Sequence, residues 1–159
     1  MKRKKKLSRD KELLRDEKLS KNFSLREFIE AKDIHPSYYP NFWEALKKNK
    51  EHQENLAKLA NKLQEVRKKL NEVFRTPGEI KLVITSGYRP VEYEYIKGRS
   101  GKSQHTLGKA ADFVPSADNI KIPLVQIYRL IEPDWTGGLS LYLSDGFIHG
   151  DIRGFRVRW

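Results

Sequence analysis

From Glu51 to Arg75 the chain places Leu56, Leu59, Ala60, Leu63, Val66, Leu70, Val73 and Phe74 at helical spacing, with Lys, Glu and Asn on the other face. The pattern predicts one amphipathic helix of about seven turns. Its apolar stripe has to be covered by other elements of the fold. Thr76-Pro77-Gly78 stops the helix. Immediately afterwards comes IKLVIT, Ile80 to Thr85, whose β-branched content predicts a buried strand running into the turn SGYRP. A long helix and a buried strand joined by a short connection make helix-on-sheet packing the first expectation.

The rest of the chain fills in that plan. Ser24 stands three residues before Glu27 in FSLREF, a capping box that predicts a short helix from Leu25. Residues 33–50 contain Pro36, Pro40 and several aromatics, and read as an irregular packed connection. Residues 91–104 have poor periodicity and two Gly, and read as a surface loop. AADFV predicts a second strand, and Pro123 suits the first turn of a helix over LVQIYRLI that ends before Pro133. LSLYL and FIHGDI flank Ser144-Asp145-Gly146, a hairpin signal. The expected class is α+β: a small, mostly antiparallel sheet with helices packed on it.

Cysteine is absent, which excludes a disulfide framework, a thiolate nucleophile and a Cys-based zinc finger. Any metal must be held by His, Asp or Glu. The net charge is +11, and residues 1–21 hold ten Lys/Arg against four Asp/Glu. No apolar h-region follows this basic start and no run is long enough to span a bilayer, so the expectation is a protein without a cleavable signal or a membrane span. The basic start reads as a solvated tail able to attract an anionic polymer. It contains no aromatic residue before Asn22, so the stacking surfaces of a single-strand binder are missing and nucleic acid is not the expected partner.

The segment GRSGKSQHTLGKAADF, Gly98 to Phe113, offers two chemistries. A phosphate loop ending at Gly101-Lys102-Ser103 would need Gly at position 96, which is Ile96. The Gly-Lys-Ser is therefore a flexible basic loop. His105 and Asp112 form H-x6-D, and His149 lies in the final hairpin. Two imidazoles and a carboxylate suit a zinc site that keeps one position for water. His35, before a Pro, and His52, among charged residues at the start of the long helix, lack a carboxylate context and are expected to be solvated.

SGYRP, SQHTLGKAADF and GFIHGDIRG occur in order. Together they resemble the zinc D-alanyl-D-alanine carboxypeptidase and L-alanyl-D-glutamate endopeptidase family, which has the hedgehog/DD-peptidase fold. The family's S-x-H-x-x-G-x-A-x-D string is filled at Ser103, His105, Gly108, Ala110 and Asp112. LSKNFSLREF and the long helix also resemble the layout of small phage and bacterial members. The resemblance implies a peptidase domain over residues 19–159, behind a basic extension of residues 1–18. It implies Zn²⁺ held by His105, Asp112 and His149, a substrate-facing Arg89 for a carboxylate or an oxyanion, and Ser103 as a substrate-contacting or orienting residue.

The general base is less clear from the pattern, because position 147 is Phe. Asp145 stands in an Asp-Gly turn. Asp151 shares the strand face of His149, so it is the favoured catalytic candidate, either as the base or as an acceptor orienting a ligand histidine. The resemblance implies cleavage of peptidoglycan stem peptides by a phage endolysin or virion-associated enzyme. Such a protein is expected as a monomer, in the host cytoplasm before release to the cell wall or on the virion. Its basic N-terminus would meet anionic wall polymer. The alternative is a catalytically impaired wall-binding module on the same fold.

Overall fold

The computed structural model of the chain describes residues 17–159. The basic extension expected over residues 1–18 thus lies almost wholly outside the described residues. The long helix spans Lys50–Val73, and Asn49 caps it by accepting the His52 backbone N–H at 3.1 Å. We label it α3, after α1 (Leu25–Ile29) and α2 (Tyr39–Lys47). Its Leu56, Leu59, Ala60, Leu63 and Leu70 are fully buried, as the spacing requires.

The sheet is built from β1 (Lys81–Ser86), β2 (Ala110–Ser116), β3 (Gly138–Tyr142), β4 (Phe147–Asp151) and β5 (Val157–Arg158). The spatial order is β1-β2-β4-β3-β5, antiparallel except for the β3–β5 pair. α4 (Val91–Ile96) and α5 (Leu124–Ile131) complete the α+β arrangement. One sheet face supplies Leu82, Ile84, Ala111, Phe113, Leu139 and Ile148 to the core shared with α3. Period-two alternation sends Asp112, Ser140 and His149 to the opposite face.

Two expectations of secondary structure need correction. Residues 33–50 are not irregular: Pro36–Tyr38 form a 3₁₀ turn that leads straight into α2. Proline costs nothing in a first turn, where its missing N–H has no partner to lose, and Phe42 and Leu46 bury at i, i+4 spacing. Residues 91–104 are not wholly loop either. α4 starts after Pro90, and it was illegible because one of its two buried residues, Glu94 beside Tyr93, is charged.

His52 is also not simply solvated. It is half-buried, with Nδ1 2.9 Å from the Tyr88 hydroxyl, and burial lowers its pKa against the pull of Glu51. Burial, with Glu92 adding, pushes the Tyr88 phenol up to about 12. The contact ties the start of α3 to the SGYRP turn.

Leu59 sits at the centre of this packing with no exposed surface. Leu59→Ala is expected to lower the unfolding free energy by about 2–5 kcal/mol, read from the urea midpoint. An unchanged midpoint would show that α3 is not packed as described.

Candidate metal centre

Strand register brings the site together. Asp112 on β2 pairs directly with His149 on β4, His149 pairs with Ser140 on β3, and Ser86 on β1 pairs with Asp112 across a bulge. A row of polar side chains thereby crosses four strands on the face turned from the core. His149 Nδ1 lies 3.0 Å from Asp112 Oδ1.

His105 enters from a 3₁₀ turn, Gln104–Leu107, just before β2. Gly108 ends that turn in the left-handed region at φ +71°, where a Cβ would also stand 2.6 Å from the His52 carbonyl of α3. Glycine is required there on both counts. His105 Nε2 then lies 3.4 Å from Asp112 Oδ1, and the two imidazole centroids are 5.2 Å apart.

His105, Asp112 and His149 are all buried, and their ligand atoms lie within 4.8 Å of one another. The remaining ring nitrogens show that the set fits a metal. His105 Nδ1 is 2.7 Å from the Gly87 carbonyl, which can only accept, so that nitrogen carries the proton and Nε2 keeps its lone pair. Gly87 itself is pressed against α1, where a Cβ would stand 2.4 Å from the Phe28 carbonyl. His149 Nε2 lies 2.9 Å from Asp151 Oδ2, which leaves Nδ1 for the site. Metal-binding imidazoles need this kind of support on the far nitrogen.

The electrostatics follow from the same contacts. Burial lowers the pKa of His105 despite Asp112, so the ring is held neutral. Burial would lower His149 too, but its hydrogen bonds to Asp112 and Asp151 outweigh that and raise it. Burial works to raise the Asp112 carboxyl, yet His105 and His149 hold it well below the usual carboxylate range. Asp151 behaves alike, held down by His149, Arg153 and the Gly138 N–H.

A cleft of about 360 Å³ opens over these residues. Arg89 lines it, with Nε 3.1 Å from Glu94 and Nη1 3.5 Å from Ser86 Oγ. Ser103 lines it as well, and its hydroxyl accepts the His105 backbone N–H at 3.2 Å. Asp151 does not reach it: the residue is fully buried, and both oxygens are engaged. Oδ1 accepts from Gly138 N, Arg153 N and Arg153 Nε, while Oδ2 meets His149 Nε2 and Arg153 Nη2. Asp145 is exposed at the hairpin tip and does not line the cleft.

A family model described as Peptidase M15 matches residues 36–151, a span holding Arg89, Ser103, His105, Asp112, His149 and Asp151. The chain belongs to the peptidase M15 family. No curated protein and no solved structure matches it. No helix among the described residues of this M15 chain is long and apolar enough to cross a membrane.

Sequence reasoning missed part of the cleft. Arg153 was within reach of the alternation argument, since 149, 151 and 153 share a parity. Tyr142 and Trp159 gave no such signal. Trp159 lies 5.2 Å from the His149 ring, and its Nε1 donates to the Tyr142 hydroxyl at 2.9 Å. Together they wall the cleft beside Phe147.

Without metal, a proton on His149 Nδ1 occupies the line to Asp112 that a metal would take. Metal uptake near pH 6.5 is therefore expected to release about one proton per ion, and affinity is expected to rise with pH. Calorimetry in buffers of different ionisation heat measures this, and proton-neutral binding would contradict it.

Proposed function

We propose that this M15 peptidase is a zinc enzyme that hydrolyses the stem peptides of peptidoglycan, as a lytic protein of the phage endolysin or virion-associated type. The observation that carries the reading is the buried His105–Asp112–His149 set, with each histidine's outer nitrogen already engaged. A zinc ion held there would supply Lewis acidity toward a peptide carbonyl and acidify a water molecule to near neutrality.

The chain's own residues do the rest. Arg89 brings a positive charge to the cleft floor, suited to a substrate carboxylate or to the oxyanion of the tetrahedral intermediate. Lys102 and Arg153 add cationic character to the same cleft, which favours acidic stem peptides. Ser103 holds the turn that carries His105. For Asp151 the geometry favours the orienting role: its oxygens are committed to His149, Arg153 and Gly138, and it fixes the His149 tautomer rather than taking a proton from water. The net charge of +11 supports adsorption to an anionic wall polymer. A decayed wall-binding module would have no need for two imidazoles held in complementary tautomers.

The test is digestion of purified peptidoglycan with zinc-loaded protein, followed by mass spectrometry. New amino termini are expected from wild type and none from His105→Ala, whereas full lysis by metal-free protein would refute the reading. Asp151→Asn is expected to weaken zinc binding about 10- to 100-fold and to regain activity in excess zinc. Loss of activity at saturating zinc would instead mark Asp151 as the base.

A further inference from the structure

Glu94 has no exposed surface, although Glu92, Tyr95 and Ile96 of the same six-residue helix α4 are exposed. A carboxylate withdrawn from water is unfavourable unless cations meet it. Here two guanidinium groups do so. Oε1 lies 3.1 Å from Arg89 Nε, an ion pair with no hydrogen bond between the two atoms, and Oε2 pairs with Arg99 Nη1. The two arginines differ in kind. Arg99 is half-exposed and also stands over the Tyr93 ring, 6.0 Å from its centroid. Arg89 is mostly buried and faces the metal centre.

Arg89 has a second anion within its field, the Asp112 carboxylate of the metal set. A guanidinium drawn onto Asp112 would compete for the oxygen a metal needs. The charge of Glu94 draws the Arg89 guanidinium toward α4 and leaves the Nη end, beside Ser86 Oγ, for the cleft.

We propose that Glu94 is a positioning residue for Arg89: its buried charge holds the guanidinium, keeps it off Asp112 and presents its Nη edge to anionic substrate oxygens. The substrate part of this inference rests on the peptidase reading; the geometric part does not.

Two measurements test it. In ¹H–¹⁵N spectra the Arg89 Nε–H signal, assigned by its loss in Arg89→Lys, is expected to exchange slowly with solvent. It should become fast in Glu94→Gln and stay slow in Arg99→Met. Retained protection in Glu94→Gln would overturn the proposal.

In kinetics on a stem peptide, Glu94→Gln is expected to lower kcat/KM on the order of 100-fold. It should cost little more on an Arg89→Met background, and Arg99→Met should stay near wild type. Equal losses in Glu94→Gln and Arg99→Met would mark Glu94 as merely structural and overturn the proposal. Wild type inactive on stem peptides would instead refute the peptidase reading, and the exchange comparison would still decide the role of Glu94.

Discussion

The direct pairing of Asp112 with His149 across β2 and β4 is the contact on which the rest of the site depends. A register slip of one residue would send one of the two side chains into the core and bring an apolar residue to the site face. The slip is prevented from the other side of the sheet, where Phe113 and Ile148, the next pair in the register, are fully buried against the helices. The apolar core thus does more than stabilise the fold. It sets which oxygen and which nitrogen face each other.

The turn SGYRP couples this sheet to the helices through four consecutive residues with separate tasks. Ser86 extends the polar row, and the Gly87 carbonyl orients His105. Tyr88 reaches His52 at the start of α3, and Arg89 enters the cleft. Both backbone groups that could clash, the Phe28 carbonyl at Gly87 and the His52 carbonyl at Gly108, are met by glycine. The two glycines therefore belong to the site's construction, because they let helix backbone come close enough to fix the His105 turn. Asp151 and Arg153 complete the support on the other imidazole.

How much of this was legible in the sequence follows from the kind of signal each part leaves. α3 was readable because its apolar residues repeat at helical spacing, β1 through its β-branched content, β2 as a short apolar run and the final hairpin through its Ser-Asp-Gly turn. The metal set was readable because His105 and Asp112 lie within one short string. The third ligand, His149, was placed by resemblance and by its hairpin. α2 and α4 were not readable: one is short with Pro40 in its first turn, and the other turns a charged residue inward. Glu94 carried no signal of its own, because nothing local announces that Arg89 and Arg99 will surround it. Asp151 was placed on the correct strand face by alternation. Sequence could not tell a base from an orienting acceptor, since that depends on how many donors Arg153 and Gly138 aim at it.

The central claim is that His105 offers Nε2 and His149 offers Nδ1 to a single metal beside Asp112. It is tested most directly by loading ¹⁵N-histidine-labelled protein with ¹¹³Cd²⁺ and observing one-bond cadmium–nitrogen couplings. Coupling is expected to Nε2 of His105 and to Nδ1 of His149, with the opposite nitrogen of each ring protonated. Coupling through the other nitrogen of either ring, or to only one of the two histidines, would contradict it.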